Sequence, residues 1–144
     1  MSYDISMYGP DEYAAMLACR ESNSGGVWCD AYGCSACAAD HPPLTVDAFE
    51  DGGTYCVGGT DEASLNITYN YGGIFRRVLG DGGIRSLYSK TGAEMAPKLR
   101  EAVAALGEDR DDDYWRATDG NAGAALARLL KWADQHPDGV FDGD

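Results

Sequence analysis

The sequence predicts an α+β fold: a small antiparallel sheet of three to four short strands, followed by about three packing helices. Three observations carry this expectation. Residues 65–71 alternate in polarity, with Leu65, Ile67, Tyr69 and Tyr71 to one side and Asn66, Thr68 and Asn70 to the other, the period of a strand with one buried face. Behind the Gly72-Gly73 pair the period changes, and Ile74, Phe75, Val78 and Leu79 fall at helical spacing. Two longer helical stripes then occupy the last third of the chain.

The elements follow in order. Residues 3–8 read as a first strand, with Tyr3, Ile5 and Met7 on one face. Pro10, Asp11 and Glu12 suit the first turn of a helix, continued by Tyr13, Met16, Leu17 and Arg20 and ended at residues 22–26. An irregular segment up to Pro43 holds Cys29, Cys34, Cys37 and His41. Residues 44–49 alternate again and read as a strand. Asp51-Gly52-Gly53 is a hairpin turn, because glycine takes positive φ without steric cost. Residues 54–57 form its return strand, and residues 58–61 turn into the central one. After the Ile74–Leu79 helical stripe and the Gly80–Gly83 break, residues 84–88 read as a helical turn or strand-like link. Thr91 with Glu94 has capping-box spacing. The helix behind it carries a stripe of Met95, Leu99, Ala102, Val103 and Leu106, with Pro97 in its first turn and Gly107 at its end. In the last helix Ala122, Ala125, Leu126, Leu129, Leu130 and Ala133 form the buried face, with Trp132 at its edge. The tail docks through Val140 and Phe141. The 144 residues thus form a single domain, with an inserted helix and Cys-rich loop at about residues 10–43.

The formal net charge is −13, and its distribution is uneven. Residues 1–65 hold eleven acids and one base, residues 66–106 three acids and six bases, and residues 107–144 ten acids and four bases. Acidic flanks surround a mildly basic middle. Such flanks repel nucleic acid and attract basic protein surfaces, so direct nucleic-acid binding is not expected; they also simply keep a small protein in solution. No apolar run approaches the roughly 18 residues of a membrane span. The first residues lack the basic and apolar regions of a secretory leader. The expected location is the cytoplasm, where cysteines are thiols or metal ligands rather than disulfides.

Three groups of residues have chemistry to offer. Cys29, Cys34, Cys37 and His41 supply three thiolates and an imidazole within 13 positions, a ligand set for a structural zinc; small buried or unreacted thiols are the alternative. Asn66, Thr68 and Asn70 form a polar ladder on a strand, where Asn is ill suited. They serve as caps for the next helix, or they line a hydrogen-bonding pocket with Arg76, Arg77, Trp115, Thr118 and Asn121. Such a pocket would suit a nucleobase or phosphate. Asp109, Asp111, Asp112 and Asp113 form a solvated acidic loop, or a surface that imitates a nucleic-acid backbone toward a basic partner. The loop lacks calcium-site spacing. No nucleotide-binding glycine motif, nucleophile elbow or zinc-protease motif is present, which weighs against catalysis.

The chain resembles a set of small proteins of unassigned activity from bacteriophages, prophages and their hosts. The resemblance rests on Tyr3-Asp4-Ile5-Ser6, Gly52-Gly53-Thr54-Tyr55, Gly58-Gly59-Thr60, Leu65 through Tyr71, Tyr88 through Glu94, Asp112-Asp113-Tyr114-Trp115 and Gly120-Asn121-Ala122. It covers the start and most of residues 50–144. Residues 10–45 look like an elaboration, which would make zinc binding particular to this branch. The resemblance implies no catalytic residue. It implies a setting in which small acidic proteins bind and disable a host factor. The expectation is therefore a non-catalytic accessory protein that inhibits or modulates a host protein with a basic surface, such as a nucleic-acid-handling or anti-phage defence factor. A nucleotide-binding protein is the alternative, and an enzyme with a structural zinc comes third.

Overall fold

A seven-residue strand, β1 (Ser2–Tyr8), occupies the middle of an antiparallel sheet that has three strands among the described residues. Strand β2 (Ser64–Thr68) pairs along one edge, with Tyr3 opposite Ile67 and Ile5 opposite Leu65. Strand β3 (Val140–Gly143) pairs along the other, with Met7 opposite Phe141. The structure, a computed structural model, describes residues 1–22, 41–47 and 61–143. The α+β reading holds. The expected hairpin at 51–53, the return strand at 54–57 and residues 48 and 49 lie outside the described residues.

The strand on the second edge of β1 comes from the tail, and the described residues 44–47 of the expected 44–49 strand form none. Within 41–47 only Thr45 takes part in a bridge, to Glu62, while the Leu44 N–H donates to the Met7 carbonyl at 2.8 Å. Val140 and Phe141 do dock, but as a strand that pairs the second edge of β1. Strand β2 is also shorter than its alternating pattern. Thr68 Oγ1 accepts the Asn70 N–H at 3.2 Å, and this local bond competes with the ladder. Residues Tyr69–Tyr71 therefore turn into a 3-10 helix.

The inner sheet face presents Tyr3, Ile5, Met7, Leu65, Ile67 and Phe141 to the core. Among the described residues three helices cover it: α2 (Gly72–Leu79), α3 (Gly92–Leu106) and α4 (Asp119–Gln135). Of the two readings for residues 84–88, a helical turn or a strand-like link, the helical one holds: Gly83–Leu87 form a 3-10 helix. Trp132 is fully buried among the core residues rather than at an edge, and Leu130 is only half-buried. Pro97 is the sixth residue of α3, not in its first turn. Its missing N–H removes one helical bond, a local cost that the packing of α3 absorbs. The capping box forms as expected: Thr91 Oγ1 accepts the Glu94 N–H at 3.2 Å and Glu94 Oε2 accepts the Thr91 N–H at 2.8 Å.

Helices α3 and α4 run antiparallel at close range, because glycines remove a side chain at both ends of their contact. A Cβ on Gly92 would lie 2.5 Å from the His136 carbonyl oxygen, and one on Gly123 would overlap the Gly107 carbonyl. Helix α1 (Pro10–Ser22) packs on the other side of the sheet, where Met16 and Cys19 bury against Tyr8. Arg20 of α1 reaches Asp142 of β3 at 3.0 Å. That pair is largely shielded from solvent and ties the helix to the tail strand.

Candidate functional site

The acidic connection between α3 and α4 is a shaped loop, and one amide shapes it. Asn121, 1% exposed, projects from the first turn of α4 under the loop. Its Oδ1 accepts the Asp111 N–H at 2.9 Å, and its Nδ2 donates to the carbonyls of Asp113 at 3.1 Å and Arg116 at 2.9 Å. Two successive side-chain turns lie on top. Asp111 Oδ1 accepts the Asp113 N–H at 2.9 Å, and Asp113 Oδ1 accepts the Trp115 N–H at 3.1 Å. This is what Asp does when it competes with regular secondary structure for backbone donors. Arg116 closes the loop on Asp111 Oδ2 at 2.8 Å. Beneath it Gly120 leaves room for the Asp109 backbone, which any Cβ there would overlap.

The end of β2 and the start of α2 hold the loop from the far side. Asn70 Nδ2 donates to the Trp115 carbonyl at 2.9 Å, and the buried Tyr71 hydroxyl donates to the Tyr114 carbonyl. Arg77 pairs with Asp119 at 2.5 Å, both half-exposed. Trp115 thus has its N–H and its carbonyl bonded within the molecule while the residue is 47% exposed. Among the described residues it is the one exposed aromatic side chain. The same connection carries the exposed carboxylates of Glu108, Asp109, Asp112 and Asp113. Asp109 and Asp112 make no side-chain bond to the described residues, so their charge faces outward. Glu108 also rims an open groove of about 430 Å³ between α3 and α4, floored by Val103, Ala127 and Leu130.

The structure brings Asn70, Arg77, Trp115, Thr118 and Asn121 to this one loop, together with Asp109, Asp111, Asp112 and Asp113. Their polar atoms largely meet one another: Thr118 Oγ1 caps α4 through the Asn121 N–H at 3.1 Å, and Thr68 caps the 3-10 turn. Asn66 lies apart, on the outer sheet face, donating to Ser2 at 2.6 Å and Asp4 at 2.5 Å. Arg76 points elsewhere, beside Gly72. Of the proposed metal ligands, Cys29, Cys34 and Cys37 lie outside the described residues. His41 is buried, with Nδ1 3.2 Å from Glu12 Oε2 on α1. Among the described residues no group of three or more His, Cys, Asp or Glu side chains could hold a metal, and no helix is long and apolar enough to cross a membrane.

The sequence reading missed the role of Asn121 as the loop's internal strut and the Tyr71 hydroxyl as its anchor. A signal for the loop was present in the i, i+2 spacing of Asp111, Asp113 and Trp115, which matches consecutive side-chain turns. No family model, curated protein or solved structure matches the chain.

Proposed function

We propose that this chain is a non-catalytic binding protein that grips a partner protein's basic surface with Trp115 and the carboxylates of the same connection. In the phage or prophage setting implied by the resemblance, the partner is a host factor that handles nucleic acid or defends against phage, and binding inhibits or modulates it. The observation that carries this reading is a large aromatic side chain held out to solvent by a backbone that is bonded on both sides. Tryptophan is the side chain most enriched at the energetic centre of protein interfaces. A loop already locked in place loses little entropy when it binds. Outward carboxylates steer a cationic partner and raise its association rate. A guanidinium from the partner would find both a carboxylate and an indole face here. The polar atoms that a nucleotide pocket would use, those of Asn70, Thr118 and Asn121, are engaged with the loop itself, which favours the protein-binding reading over the ligand-binding one.

The test is capture from the bacterial host at low salt with wild-type protein and with an Asp109→Asn, Asp112→Asn variant. These two carboxylates have no part in holding the loop, so the variant keeps its fold. The proposal expects a captured protein of basic surface that elutes as salt is raised, because exposed charges are screened beyond about 10 Å at 0.1 M salt. It also expects the variant to retain less of that protein. Equal retention by both proteins would count against it.

A further inference from the structure

We draw no further inference here: the strongest candidate, the open groove between α3 and α4 floored by Val103, Ala127 and Leu130, has Lys131 and Asp134 on its rim already paired within the chain, to Asp47 and Arg100, and nothing in the structure shows what covers it.

Discussion

Asn121 decides whether the acidic loop has a shape at all. Its amide makes three bonds to loop backbone from a buried position, so Asn121→Ala leaves an N–H and two carbonyls to be satisfied some other way. The expected loss is about 3 kcal/mol in chemical denaturation, from unsatisfied groups at about 1 kcal/mol or more each. A second residue-scale prediction concerns Gly123, where a Cβ would overlap the Gly107 carbonyl. Gly123→Ala should push α3 and α4 apart and cost more than about 2 kcal/mol by the same measurement, an overpacking penalty that backbone atoms cannot relieve by changing rotamer. The type and place of Asn121 stood out in the sequence, at the mouth of the last helix. Its partner did not. An amide at a helix start bonds its own loop or a ligand equally well, and only the fold shows which backbone groups come within reach. Trp132 illustrates the same limit, since helical spacing places it beside the apolar stripe and the packed core encloses it completely.

Elements set by local chemistry were legible, and those set by a distant partner were not. The capping box of α3 needs only Thr91 and Glu94 three positions apart, and it forms as the spacing implies. Thr91→Ala should cost about 1 kcal/mol in thermal or chemical denaturation. The Glu94 carboxyl is held below its ordinary value of 4.5, first by the backbone N–H of Thr91 and then by its hydroxyl. A depressed carboxyl contributes stability above pH 4.5 that is lost as the pH falls through the folded-state value. Glu94→Gln should therefore flatten the acid limb of a stability profile below that pH while leaving the neutral region parallel to wild type. Strand β3 is the opposite case. Four residues near the end of the chain have no strong pattern of their own, and they become a strand because β1 offers an unpaired edge. Residues 44–49 alternate better, but the described part of that stretch contributes one bridge. Phe141 belongs to the core, and Phe141→Ala should cost about 3 to 5 kcal/mol.

Across the whole molecule, charge is sorted by sequence segment and then by surface. The basic residues of the middle stretch sit on α2, α3 and the turns between them, while the acidic connection of α3 to α4 projects beside them, and Arg77 with Asp119 marks where the two meet. The sheet and the helices α2, α3 and α4 share one core, and the loop is bonded into that frame from α4 on one side and from the β2–α2 corner on the other. Such a frame can present Trp115 to a partner without ordering anything at the moment of contact. The most direct test is the affinity of the captured basic partner for wild-type protein and for Trp115→Ala, measured by calorimetry at fixed salt. Truncating an interface centre costs about 2 kcal/mol or more, so affinity should fall about thirtyfold with an unchanged fold. An affinity within about twofold of wild type, less than about 0.5 kcal/mol, would contradict the account.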